Sequence, residues 1–187
     1  IAPIMYVDKS KEETGLCMNL LMSDRPLPGI QMKEADRYID LSRLKIRNCV
    51  GCFGCWVKTP GKCVIRDDAV TVYPLIAYSS RVIYVTRPYC GCYDLPMKIM
   101  LERAIPVQQA FIRLYHGQTH HIQREVKPKD AIIIAYGDAV PKEEQELFRR
   151  LVARNAHNML FQSWRVIFAK EAELFSVVYR EVCAWDA

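Results

Sequence analysis

Arg81-Val82-Ile83-Tyr84-Val85-Thr86 is the stretch that decides the fold. It is a continuous run of β-branched and aromatic residues, which is typical of a strand that is buried on both faces. A second run of this kind covers residues 131–136. A helical pattern follows each run, so the two runs indicate neighbouring parallel strands that are covered by helices.

Strands and helices alternate along the rest of the chain. Further strands are predicted at residues 4–7, 37–41 and 164–169, and helices near residues 10–21, 69–78, 94–104, 141–158 and 171–183. In the first of these helices, Leu16, Leu20 and Leu21 share one face. Residues 106–130 are predicted to form a short helix and then a polar loop around Gly117. Together the elements predict an α/β fold, a three-layer α/β/α sandwich with a flavodoxin-like five-stranded parallel sheet in the order 2-1-3-4-5.

Length and composition restrict the class of protein. The 187 residues suit one domain, 1–187, with a cysteine-rich loop at about 49–63. The net charge of +5 is spread along the chain, so no nucleic-acid partner is predicted. No apolar run approaches the ~20 residues of a membrane span, and no signal peptide is recognised. We therefore expect a cytoplasmic protein that does not bind a membrane.

The cysteine loop is the most specific motif of the chain. It reads Cys49-Val-Gly-Cys52-Phe-Gly-Cys55, and Cys63 follows after a short gap. Two-residue gaps let neighbouring thiolates face one centre, and the intervening glycines let the backbone curl tightly. The spacing suits an iron–sulfur cluster, a zinc ion with four thiolate ligands, or a set of free or redox-active thiols. A disulfide framework is disfavoured, because such frameworks belong to small secreted domains with little core.

Several motifs resemble one family of flavoproteins. The cysteine loop, with Gly61-x-Cys63 and Asp67-Asp68 after it, resembles the NAD(P)H-dependent FMN reductase superfamily and, within it, the iron–sulfur flavoproteins. Pro88-Tyr89-x-Gly91, with Lys98 and Glu102-Arg103 after it, is similar to the flavin-side loop and following helix of that family. The resemblance implies FMN, an electron donor that is NAD(P)H or ferredoxin, and a homodimer or homotetramer. It also implies a [4Fe–4S] cluster with four ligands, namely Cys49, Cys52, Cys55 and Cys63.

Candidate FMN contacts follow from the fold and the resemblance. Ligands of open parallel sheets bind beyond the carboxyl ends of the strands, which here are followed by residues 8–15, 86–94 and 136–141. The cysteine loop is expected at the same edge. No catalytic side chain is assigned. The predicted cofactor-binding residues are Lys9, Ser10, Thr14, Pro88, Tyr89, Cys90, Gly91, Tyr93, Tyr136 and Gly137.

The predicted first loop departs from the family pattern and leaves two functions open. The family carries Ser-x-Arg and small polar residues there to hold the FMN phosphate, whereas residues 8–15 include Glu12 and Glu13. Their negative charges oppose a phosphate. One hypothesis is an FMN-dependent oxidoreductase or electron-transfer flavoprotein that passes electrons between FMN and a [4Fe–4S] cluster. The alternative is a flavodoxin-fold protein that has lost FMN and acts as a binding or interaction module with a structural metal or thiol site.

Overall fold

The computed structural model describes residues 18–186. The strands of this part are β1 (Asn19–Ser23), β2 (Arg37–Asp40), β3 (Arg81–Thr86), β4 (Pro88–Tyr89), β5 (Cys92–Tyr93), β6 (Gln108–Tyr115), β7 (Gln118–Gln123), β8 (Lys129–Tyr136) and β9 (Phe161–Ala169). The α-helices are α1 (Gly54–Val57), α2 (Ala69–Tyr78), α3 (Leu95–Arg103), α4 (Lys142–Asn158) and α5 (Leu174–Cys183). Short 3-10 turns occupy Leu41–Arg43, Ile105–Val107, Glu171–Glu173 and Ala184–Asp186.

A five-stranded sheet forms the centre of the molecule. Its order is β2-β1-β3-β8-β9, and every neighbouring pair is parallel. Numbered by the sheet strands alone, this is the order 2-1-3-4-5, so the predicted fold class is confirmed. The run that begins at Arg81 lies in the middle of the sheet, where it pairs with β1 on one side and β8 on the other.

The first described strand of the sheet is not predicted from the sequence. The predicted strand at residues 4–7 lies outside the described residues, and β1 begins at Asn19. The prediction that Leu20 and Leu21 belong to a helix is wrong. Leu20 packs against the core on one face of the sheet and Leu21 against the core on the other, as neighbouring residues of a strand do.

The two faces of the sheet are covered unequally. Helices α2, α3 and α4 cover one face and bury residues such as Met97, Phe148 and Val152. On the other face α5 packs with Leu174 and Val178, and Leu27 joins them from the segment that links β1 to β2. That segment, residues 24–36, contains no helix. The connection that supplies a helix N-terminus in most doubly wound folds is therefore a loop in this chain.

A β-hairpin replaces the predicted loop around Gly117. Strands β6 and β7 pair antiparallel, and His116 and Gly117 join them with φ angles of 48° and 72°. Two successive positive φ angles are the mark of a type I′ turn, which matches the twist of the strands it connects. The short helix predicted before the hairpin is a 3-10 turn, Ile105–Val107.

The remaining predicted elements agree with the structure to within a few residues. Helix α2 and strand β3 have the predicted bounds, and Asp94 caps α3 by accepting a hydrogen bond from the backbone N–H of Leu95. Among the described residues, no helix is long and apolar enough to cross a membrane.

Candidate functional site

Four loops meet at the carboxyl edge of the sheet. They follow β1, β3, β8 and β9. Arg25 and Arg87 from these loops contact both Glu171 and the ring of Tyr136 at the end of β8. The predicted loops 86–94 and 136–141 lie at this edge. The residues after Ser23, and not those of the predicted loop 8–15, follow the described first strand.

Asp24 forms the buried floor of this edge. Its side chain accepts hydrogen bonds from the backbone N–H of Arg87 (2.7 Å) and from the hydroxyl of Tyr136 (2.8 Å). Burial raises the pKa of Asp24, and the charge of Asp94 acts in the same direction, although the hydrogen bonds favour the ionised form. The carboxyl of Asp24 thus fixes both the loop after β3 and the ring of Tyr136.

Two arginines cover the ring of Tyr136. The guanidinium carbons of Arg25 and Arg87 lie 5.3 and 5.4 Å from the ring centroid, within the range of a cation–π contact. Glu171 forms an ion pair with each arginine, at 2.9 Å for Arg25. The arginine pair, Arg25 and Arg87, therefore concentrates positive charge over one aromatic ring at the open end of the sheet.

The loop after β3 is a small hairpin with a buried root and an exposed tip. Pro88 is buried, whereas the ring of Tyr89 is 69% exposed. Cys90 and Gly91 form the turn between β4 and β5 with φ angles of 51° and 69°, the combination of a type I′ turn. The N–H of Gly91 donates to Glu144 at 3.0 Å, which ties the turn to α4.

The structure separates the predicted cofactor-binding residues into three groups. Pro88, Tyr89, Cys90, Gly91 and Gly137 lie in loops at the carboxyl edge. The rings of Tyr93 and Tyr136 are buried, and Tyr93 packs edge-on against Phe148 in the core. Lys9, Ser10 and Thr14 lie outside the described residues.

Sequence reasoning missed the charged residues of this edge. The assignment of the preceding leucines to a helix hides Asp24 and Arg25, and the sequence indicates Glu171 only as the start of the last helix. The signal was present, because Ser23-Asp24-Arg25 has the order Ser-x-Arg that the family resemblance implies for the first loop. It follows β1 directly, where a ligand-binding loop of this fold belongs.

The four cysteines of the cysteine loop line one small pocket. Cys55 and Cys63 are buried, Cys49 is partly buried, and Cys52 is exposed. Helix α1 turns Cys55 inward, and it begins at Gly54, where a Cβ would lie 2.8 Å from a methyl of Val64. Glycine at this position therefore permits the close approach of the two sides of the pocket.

Arg103 closes the pocket on the side of α3. Its guanidinium is buried, donates to the sulfur of Cys63 at 3.4 Å and pairs with Asp67, while its Nε–H has no partner. Burial, together with the nearby sulfurs of Cys63, Cys49 and Cys52, raises the pKa of the Cys55 thiol to about 11. In the arrangement described, the Cys55 sulfur is a neutral thiol at physiological pH.

This arrangement is not that of a formed metal centre. Among residues 18–186, no three or more His, Cys, Asp or Glu side chains are grouped as they would be around a metal ion. None of the cysteines in that range is in a disulfide. The cysteine pocket and the carboxyl edge lie at opposite ends of α3. Arg103, which lines the pocket, is at the C-terminal end of this helix, whereas the loop before its N-terminal end belongs to the carboxyl edge. The expectation that the cysteine loop adjoins the candidate FMN residues is therefore not supported.

Comparison with known proteins identifies the fold. No protein-family model matches the chain, and a search of curated proteins finds no similar sequence. Among solved structures, an FMN-dependent NADH-azoreductase from Bacillus anthracis str. Ames Ancestor in complex with FMN has a TM-score of 0.57 and 10% identity, over 89% of this chain and 96% of that one. The apo form of an NADH:FMN oxidoreductase has a TM-score of 0.52 and 12% identity, over 91% and 84%. An NADPH-quinone reductase from P. pentosaceus has a TM-score of 0.50 and 11% identity, over 92% and 98%. The chain thus has the flavodoxin-like α/β fold.

Proposed function

We propose that this protein is an FMN-dependent oxidoreductase that takes electrons from NAD(P)H. The observation that carries the proposal is the arginine pair, whose two guanidiniums converge over Tyr136 at the carboxyl edge of the sheet. Proteins with this fold include an NADH-azoreductase in complex with FMN and an NADPH-quinone reductase, which supports the proposal.

The residues of the carboxyl edge suit a phosphorylated flavin. A helix N-terminus is a common phosphate site, and the described chain has no helix between β1 and β2. Arg25 and Arg87 would supply the complementary charge in its place, since guanidinium groups bind phosphate through paired hydrogen bonds. The exposed ring of Tyr89, with Pro88, would flank the flavin ring, and Cys90, Gly91 and Gly137 complete the proposed contact set.

The roles of the side chains follow from this placement. Bound FMN would supply the redox chemistry, accepting a hydride from NAD(P)H and passing electrons to an acceptor. Arg25 and Arg87 hold the phosphate. Asp24 keeps the ring of Tyr136 in place beneath them by accepting a hydrogen bond from the Tyr136 hydroxyl. Tyr93 and Tyr136 support the site from below, since both are buried.

A titration of the protein with FMN, followed by flavin fluorescence, tests the proposal. We expect Arg87→Met to weaken FMN binding about tenfold or more, because a hydrogen bond to a charged group contributes about 1.5–3 kcal/mol. Arg180→Met is the matched control, since Arg180 is also an exposed arginine with a carboxylate partner but lies near the end of α5. Oxidation of NADH and NADPH by the FMN-loaded protein identifies the donor. Failure of the wild type to bind FMN would favour the interaction module.

The cysteine pocket supports a separate proposal, a [4Fe–4S] cluster or another thiolate-bound metal at Cys49, Cys52, Cys55 and Cys63. Its support is that the four side chains line one pocket with a cationic wall at Arg103. The lack of a formed group of three ligands among the described residues stands against it. Iron, zinc and acid-labile sulfide analysis of protein purified without oxygen decides the matter. About four iron atoms per chain would support the cluster.

The assembly and the alternative donor also stay proposals. Phe111, Ile112 and Leu114 on β6 are well exposed, which favours the homodimer or homotetramer that the family resemblance implies. Light scattering on the purified protein measures the assembly. Reduction by ferredoxin in place of NAD(P)H can be compared in the same oxidation assay.

A further inference from the structure

Glu171 occupies the place between the two arginines. One of its carboxylate oxygens lies 2.9 Å from Nη1 of Arg25, and the other contacts Nη2 of Arg87. Arg25 and Glu171 are 146 positions apart in the chain. The contact is set by the fold, because Glu171 follows the end of β9 at the same edge where Arg25 follows β1.

The position of this carboxylate is held by its own backbone. Glu171 begins the 3-10 turn Glu171–Glu173, and its N–H donates to the side chain of Asp138 at 3.1 Å. The carboxylate is thus presented to the arginine pair by the chain itself, at a high effective concentration. Its side chain is one-third exposed, so it can turn out to solvent without rearrangement of the core.

The charges around Glu171 favour a stronger anion. The two guanidinium carbons lie 5.3 and 5.4 Å from one ring centroid. Glu171 forms an ion pair with both arginines, and its one negative charge offsets only one of their two positive charges. A phosphate monoester carries between one and two negative charges at neutral pH, roughly −1.5 to −2, and three acceptor oxygens. It matches two guanidiniums better than a carboxylate does.

We propose that Glu171 is an internal competitor for the phosphate monoester of the ligand. Its carboxylate fills the anion site of Arg25 and Arg87, and the phosphate binds by displacing it. The inference rests on the proposed function for the identity of the ligand, since both FMN and the 2′-phosphate of NADPH are phosphate monoesters. Glu171 thereby sets how tightly, and with what preference for phosphorylated ligands, the carboxyl edge binds.

Glu171→Gln tests this role, because it keeps the shape of the side chain and removes the charge. Glu173→Gln is the matched control, since Glu173 lies in the same 3-10 turn without an ion pair to the arginines. Calorimetry on the full chain measures the dissociation constant of inorganic phosphate. It also compares the dissociation constants of FMN and riboflavin, and those of NADP⁺ and NAD⁺. The members of each pair differ by one phosphate and so distinguish the two sources.

We expect Glu171→Gln to lower the dissociation constants of inorganic phosphate and of at least one phosphorylated ligand by about tenfold or more. The reason is that the variant no longer populates the state in which the carboxylate occupies the anion site. The dissociation constants of riboflavin and NAD⁺ should not change in this variant. The Glu173→Gln protein should bind all of the ligands as the wild type does. The inference is overturned if Glu171→Gln leaves the affinity for every phosphate ligand unchanged. It is also overturned if the affinity for riboflavin or NAD⁺ rises as much as that for the phosphorylated partner, or if Glu173→Gln has the same effect as Glu171→Gln.

A measurement on the wild type removes any dependence on the fold of the variant. Addition of inorganic phosphate should shift the side-chain N–H resonances of Arg25 and Arg87 in an NMR titration, and should leave those of Arg180 in place. Unshifted resonances at Arg25 and Arg87 would overturn the inference.

The two proposals can fail separately. If Glu171→Gln tightens inorganic phosphate while neither protein binds FMN, the competitor role stands and the FMN function fails. If the wild type oxidises NAD(P)H with FMN and the variant binds every phosphate ligand as the wild type does, the function stands and the competitor role fails.

Discussion

Arg103 and Asp67 form a two-pronged ion pair that joins α3 to the end of the cysteine loop. Nη1 and Nη2 of Arg103 donate to the two carboxylate oxygens of Asp67 at 2.7 and 2.9 Å, and the arginine side chain is only 1% exposed. The same guanidinium donates to the backbone carbonyl of Arg47 and to the sulfur of Cys63. One buried cation therefore holds both sides of the cysteine pocket together.

We expect Asp67→Asn to lower the free energy of unfolding by about 3 kcal/mol or more, because it leaves the buried charge of Arg103 without a counter-charge. Urea denaturation at pH 7 measures the change. Asp68→Asn is the control, because the side chain of Asp68 accepts a hydrogen bond from the backbone N–H of Lys45 and has no ion pair to Arg103. This substitution should cost about 1 kcal/mol. Equal losses of unfolding free energy in the two variants would mean that the ion pair adds nothing beyond the hydrogen bonds from backbone N–H groups.

Acidification should remove the same contribution. Burial raises the pKa of Asp67, but the hydrogen bonds and charge of Arg103, together with the hydrogen bonds from the backbone N–H groups of Arg47 and Ala69, outweigh it and leave the pKa below its usual value. A carboxyl with a lowered folded-state pKa stabilises the protein above its unfolded-state pKa and loses that effect as the pH falls through the folded-state pKa. The difference between wild type and Asp67→Asn should therefore persist down to about pH 4 and shrink below it.

Lys129 makes the stability depend on pH in the alkaline range. The side chain is fully buried at the start of β8, where Nζ donates to the carbonyl oxygens of Ala77 and Lys127. Burial and the charge of Lys127 lower the pKa of Lys129 to about 7. The unfolded chain binds this proton below about pH 10.4, so the folded state loses stability as the pH falls from there to about 7 and levels off below it.

Lys129→Met removes the titrating group. We expect the variant to gain stability relative to wild type by several kcal/mol between pH 10.5 and pH 6, since one pKa unit corresponds to about 1.4 kcal/mol. Urea denaturation at pH 6, 8 and 10 measures the gain, with the exposed Lys142→Met as control. Parallel pH curves for wild type and Lys129→Met would contradict the lowered pKa.

The central sheet could be predicted from the sequence because its middle strands are buried on both faces. Within Arg81–Thr86, the residues from Val82 to Val85 form a buried run, and short apolar runs with β-branched residues indicate such strands. The same rule failed at Leu20-Leu21-Met22, because a short apolar run without β-branched residues also fits a helix. At the hairpin, the pair His116-Gly117 was a turn signal, but the long polar β7 offered no alternating pattern beside it.

The candidate site could be predicted only in part, for a topological reason. The loop around Tyr89 is local in sequence and carries its own pattern of proline and glycine. The ion pair of Glu171 with Arg25 joins residues 146 positions apart in the chain, and the carboxyl ends of β1 and β9 share one edge only because all strands of the sheet run parallel. Arg25 carries the Ser-x-Arg order, but the assignment of the residues before it to a helix hides its place at the end of a strand. Glu171 has no local pattern that differs from that of an exposed charged residue.

The cysteine pocket predicts unequal reactivity of its thiols. The thiolate is the nucleophile, and the raised pKa of Cys55 leaves about one molecule in a thousand ionised at pH 8. Cys52 is exposed, whereas Cys55 is buried. We expect iodoacetamide to modify Cys52 at least tenfold faster than Cys55 in chelator-treated folded protein, as measured by peptide mass spectrometry. In urea the two rates should become equal, and equal rates in the folded protein would contradict the buried position of Cys55.

Gly91 is required in the turn at the carboxyl edge for two separable reasons. Its φ of 69° disfavours a side chain, and a Cβ would lie 2.3 Å from Cδ2 of Leu147 on α4. Gly117 has a φ of 72° in a turn of the same kind, but its Cβ would meet open space. We expect Gly117→Ala to cost about 1 kcal/mol for the backbone alone. Gly91→Ala should cost at least ~2 kcal/mol, because the side chain of Leu147 must also move out of the way. The free energies of unfolding of the two variants, measured in urea, give the packing contribution as their difference. Leu147→Ala in the Gly91→Ala background should restore part of that difference, and no restoration would mean that the turn does not pack against Leu147.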